Sequence, residues 1–88
     1  MLAEEVALLD RARAALGGNP SEALRLTADH ASRFPRGKMG IERELVAIDA
    51  LRRLGRGAEA RSRAESLLVR ARGSLYEDRI RKMLDAAP

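Results

Sequence analysis

The residues best equipped for recognition chemistry are arginines, and they cluster. Between residues 52 and 72 stand Arg52, Arg53, Arg56, Arg61, Arg63, Arg70 and Arg72 against only Glu59 and Glu65, a local charge of +5 in a chain whose total is +4. Guanidinium groups are permanently charged, planar donors matched to carboxylates and phosphates. The stretch therefore predicts a surface for an acidic protein, a contact for nucleic acid, or a solvated face whose long stems cover alanine. Nucleic acid ranks last of the three. No lysine-rich arm accompanies the arginines, and aromatics are 2% of residues, Phe34 and Tyr76 alone, which leaves no platform on which bases could stack.

Catalytic constellations are absent from the pattern. Asp29 and His30 are neighbours, with Ser21 and Ser32 close in sequence. Adjacent helical residues point about 100° apart, however, so they do not converge, and no glycine-rich turn offers an oxyanion hole. A packed histidine is the simpler expectation. Gly37-Lys38-Met39-Gly40 lacks the spacing of a phosphate loop and follows no strand. There is no cysteine and one histidine, which excludes disulfides and thiolate metal sites and argues against a metal cluster. The expectation is no enzyme and no cofactor.

The elements that position these side chains are helical. Hydrophobic residues at 45% and charged residues at 34%, mostly Ala, Leu, Arg and Glu, are the composition of an all-α protein of one small domain over residues 1–88. Leu2, Val6, Leu9, Ala12 and Leu16 recur at helical spacing beside Leu8 and predict a helix over 2–16, with Glu4 and Glu5 in its first turn. Gly17-Gly18 ends it. Asn19 is an N-cap, Pro20 fits the first helical position and Glu22 the third, opening a helix over 20–34 that Pro35 closes. Ala23, Thr27, His30, Ala31 and Phe34 share its inner face, flanked by Leu24 and Leu26.

Ile41, Leu45, Ile48 and Leu51 mark a third helix over 41–54, widened by Ala47 and Leu54; its start lies near Met39 or Ile41. Ala60, Ala64, Leu67, Leu68 and Ala71 mark a fourth over 58–71. Ser74-Leu75-Tyr76-Glu77 reads as a capping box for a fifth helix over 75–85, which buries Tyr76, Ile80, Met83 and Leu84. Charges four apart, Asp29 with Arg33, Asp49 with Arg53, Glu59 with Arg63 and Arg61 with Glu65, suit solvated helix faces. No apolar run is long enough to span a bilayer, and Met1 leads into acidic residues without a basic leader, so neither a signal peptide nor membrane insertion is expected. The default compartment is the cytoplasm, or the periplasm for a piece of a longer protein.

Two stretches repeat. Gly18-Asn19-Pro20-Ser21-Glu22-Ala23 and Gly55-Arg56-Gly57-Ala58-Glu59-Ala60 share the form Gly-x-x-x-Glu-Ala, 37 residues apart, each after an apolar pattern ending in Leu-Gly. A glycine at positive φ would end the first helix of each pair, and the alanine would let the second approach closely. On these residues the chain resembles a degenerate tetratricopeptide-repeat domain of bacterial type. Gly18, Asn19, Ala23 and Pro35 match a first repeat, and Gly55 and Ala60 a second. Arg72 stands where the family has proline, Thr27 and Ala64 where it often has aromatics, and Ala14 where tyrosine is usual.

The resemblance implies two antiparallel helix–turn–helix repeats plus a C-terminal capping helix, a module that binds a protein or peptide partner without catalysis, and a groove lined by the first helix of each pair. Glu5, Ala12, Glu42, Asp49 and Arg52 would line that groove with Arg53 at its rim; Arg56, Arg61 and Arg63 complete the partner-binding candidates. The family's clamp for C-terminal carboxylates is not recognisable. Two repeats and an alanine-rich core also suggest self-association as an alternative, with nucleic-acid binding through the 52–72 arginines behind it.

Overall fold

The computed structural model describes residues 2–86. Five helices follow one another: α1 (Leu2–Ala15), α2 (Pro20–Arg33), α3 (Gly40–Arg53), α4 (Gly57–Ala71) and α5 (Glu77–Ala86). Among the described residues there is no strand. Each helix packs on the next, and α1 also touches α3. The all-α class and the division into helical hairpins are as the apolar spacing predicts. None of these helices is long and apolar enough to cross a membrane.

The two recurring turns turn out to be built differently. Leu54-Gly55-Arg56 closes α3 with a Schellman arrangement: Gly55 N–H donates to the Arg52 carbonyl at 3.1 Å and Arg56 N–H to the Leu51 carbonyl at 2.9 Å. Gly55 takes φ 76° there, as this cap requires. The expectation of a left-handed glycine fails at the first turn. Among the described residues only Gly55 and Gly73 have positive φ, and α1 instead runs off through a turn in which Asn19 N–H donates to the Ala15 carbonyl at 2.8 Å. Asn19 then caps α2, its Oδ1 accepting from Glu22 N–H at 3.1 Å. The box stays half closed because Glu22 turns to Arg25 at 2.6 Å. A test separates the turns: Gly55→Ala should cost about 1–2 kcal/mol in chemical denaturation, whereas Gly18→Ala, with nothing near its new methyl, should change stability by no more than about 0.5 kcal/mol.

The start of α5 also differs from the expected capping box. Ser74 Oγ accepts from Tyr76 N–H at 3.1 Å, and Glu77 reaches back to Gly73 N–H at 2.8 Å, one residue before the serine. Gly73 at φ 80° sends the chain out of α4, so residues 74–76 form a turn and the helix opens at Glu77.

The interior has two clusters that share α3 as a wall. Leu8, Leu9 and Ala12 of α1 meet Leu26 of α2 and Val46 of α3. Leu45, Ile48 and Leu51 of α3 meet Ala60, Ala64, Leu67 and Ala71 of α4 and Ile80 of α5. The alanines let α4 lie close, so bulk in that cluster comes from the leucines and isoleucines. One expected core residue is outside: Leu2 is 55% exposed, since α1 extends past its contacts there. Glu5, one turn later, lies inside instead.

Candidate functional site

A cleft of about 940 Å³ opens between α3, α4 and α5. Its floor is Ile48 from α3 and Ala60 and Ala64 from α4, all buried, and its far wall is Met83 and Leu84 of α5. The cleft follows from local sequence. Helix α4 carries small residues at positions 60 and 64, one turn apart, where a larger side chain would have filled the gap. Helix α5 packs on α4 but makes no close backbone approach to α3.

The rim is polar. Asp49, Arg52 and Arg53 stand on α3, and Arg61 on α4. Arg53 Nε donates to Asp49 Oδ1 at 3.1 Å, and its Nη1 reaches the Leu16 carbonyl at 3.5 Å. Arg61 Nη1 donates to the Leu84 carbonyl at 3.0 Å, tying the two walls together. Arg52 is exposed and, among the described residues, has no carboxylate partner. Asp49 offsets Arg53, leaving Arg52 and Arg61 as the uncompensated charges at the mouth.

Glu42 faces a smaller depression of about 130 Å³, reached by Arg13 of α1, Leu16 just past its end, Tyr76, and Arg79 of α5. The Tyr76 hydroxyl donates to Glu42 Oε2 at 2.8 Å, and this carboxylate pushes the tyrosine's pKa up from its ordinary value. Asp49 borders both spaces. Of the residues expected to line a groove, Glu42 and Asp49 border this depression, and Asp49, Arg52 and Arg53 border the larger cleft.

Other expected groove and patch residues lie elsewhere. Ala12 is fully buried between α1 and its neighbours, and Glu5 is buried, so neither lines a groove. Arg56 clasps Glu59 at 2.9 and 2.8 Å; the bond lowers the glutamate's pKa and raises the arginine's. Arg63 turns away from Glu59 to Glu44 of α3, with Nε at 3.1 Å and Nη2 at 2.9 Å from the carboxylate. The expected helical pairs Asp29–Arg33 and Asp49–Arg53 form, at 3.7 and 3.1 Å. Arg70 and Arg72 lie at the far end of α4, on the order of 20 Å from the α3–α4 turn by helix rise. The seven arginines make no single patch. Three border the cleft, two are neutralised, and two stand apart.

No protein-family model, curated protein or solved structure matches the chain.

Among the described residues no three His, Cys, Asp or Glu side chains stand together as metal ligands. His30 is packed, 0% exposed, against Phe34 at 5.4 Å between ring centroids. What the sequence reading missed is the apolar part of the cleft. Met83 and Leu84, expected in the core, do pack against it but are half-buried and also border the open space. Alanines at 60 and 64 were its available signal.

Proposed function

We propose that this chain is a non-catalytic interaction module, tetratricopeptide-like in its helix pairing, that takes an apolar, acid-flanked segment of a partner protein into the α3–α4–α5 cleft. The observation that carries the reading is an apolar floor of Ile48, Ala60 and Ala64 beneath a rim where Arg52 and Arg61 have no carboxylate partner among the described residues. Each well-buried aliphatic side chain contributes about 1.5–3 kcal/mol to binding before ordering costs. The rim arginines add little energy in water but choose the sign of the partner. A cleft already present needs little ordering of its own. Packing of each helix on the next, with α1 also touching α3, supports the repeat-like reading. Dispersal of the remaining arginines favours a protein partner over nucleic acid, which would use a continuous basic track.

Panning the chain against a displayed random-peptide library and measuring the selected peptides by titration tests this. The expected peptides combine aliphatic residues with Asp or Glu. Ala58→Trp, at an exposed position on the cleft wall, and Arg52→Glu should each weaken them by about tenfold or more. Selected peptides that bind both variants as tightly as the parent would remove the cleft as the site.

A further inference from the structure

The buried Glu5–His30 pair plays no part in the cleft, and its surroundings have a consequence of their own. Glu5 of α1 is 2% exposed and His30 of α2 is 0% exposed, with Oε2 and Nε2 3.5 Å apart. The other carboxylate oxygen, Oε1, accepts from the Lys38 backbone N–H at 2.9 Å, across 33 residues of sequence. Gly37 passes so close that a side chain there would fall on the carboxylate. One buried group thus joins α1, the last turns of α2 and the 34–39 loop that leads into α3. Among the described residues, Glu5 Oε2 and both imidazole nitrogens have no hydrogen-bond partner, so this junction holds polar groups with little to compensate them.

We propose that Glu5 and His30 form an acid-released latch: a neutral His30 lets α2 and the 34–39 loop close over Glu5, and protonation of His30 frees them from α1. An imidazolium at this position would be out of water and beside the Arg43 guanidinium of α3, itself held by Glu44 at 3.3 Å. Burial first, then Arg43, depress the His30 pKa below its ordinary 6.5, against the opposing pull of Glu5 and of Asp29 on the outer side of α2. A depressed histidine binds fewer protons folded than unfolded. Its contribution to stability is therefore whole above pH 6.5 and drains as pH falls through the window below it. The charge is best relieved by local opening, and the junction's nearest soft element is the loop.

The chain has one histidine, so its imidazole gives one resonance to follow by NMR. Titration of the intact chain should place its midpoint below 6.5. Exchange protection of the Lys38 amide, corrected for intrinsic rates, should fall by about fivefold or more from about pH 7.5 to about pH 5, while amides of Leu51 and Leu67 stay protected. Glu5→Gln keeps an acceptor for Lys38 and should move the midpoint lower still, because the carboxylate opposes the depression. A midpoint at or above 6.5, or Lys38 protection indifferent to the titration, would overturn the latch: the first means the pair tightens on protonation, the second that the loop is held by other contacts.

Discussion

Truncating Leu51 to alanine should remove about 2–5 kcal/mol of folding stability and lower the melting temperature by roughly 10 °C or more. Leu51 is 1% exposed and sits in the cluster where α3, α4 and α5 meet. The same cluster holds Ala60, Ala64 and Ala71 of α4, small residues that already bring the helices close. Backbones in contact through alanine have little room to collapse further, so most of the lost leucine volume should remain as a cavity. A domain of this size has only about 4–13 kcal/mol in total at typical values per residue, so the variant should be near the limit of folding at body temperature. Urea denaturation followed by circular dichroism measures it. A loss under about 1 kcal/mol would mean that α3 and α4 are not packed around this side chain.

Gly37→Ala should cost about 1–3 kcal/mol, the scale of leaving a buried polar group unpaired, although Gly37 itself is exposed. Its new methyl would occupy the place of the Glu5 carboxylate, which has to give up the Lys38 amide. Gly17, Gly18, Gly40 and Gly57 meet nothing within 4 Å and carry no such penalty. A double-mutant cycle with Glu5→Ala identifies the cause. If the clash is with the carboxylate, Gly37→Ala should be nearly free of cost once Glu5 is gone. An equal cost in both backgrounds would assign it to the loop backbone instead.

Helix positions were legible because apolar residues recur at helical spacing, and because Asn19-Pro20 is a start signal that needs no tertiary partner. The two Leu-Gly turns look alike in sequence yet only Gly55 is left-handed, since the backbone bonds that select a Schellman cap involve residues on both sides of the glycine. The repeat resemblance places Glu5 in a groove, because α1 is the first helix of a pair. That expectation fails because its partners, His30 and the Lys38 amide, arrive from distant segments that carry no mark of it. Of the arginines that charge bias marks in the sequence, Arg52, Arg53 and Arg61 border the cleft, since they are near one another on α3 and α4. The placement of Met83 and Leu84 depends on how α5 stands relative to α3, which no local pattern encodes.

The way each helix packs on the next bears on how the chain reaches its native state. With α1 on α2, α2 on α3, α3 on α4 and α4 on α5, nearly every interface closes over one short connection, and only α1 with α3 skips an element. Chains dominated by such local contacts fold in microseconds to milliseconds, because little loop-closure entropy is lost before contacts begin to compensate it. A chain emerging from the ribosome could therefore complete each hairpin as its second helix appears. Met83 and Leu84 of α5 form the cleft's far wall, so the cleft would take shape only after α5 has been made and has docked on α4.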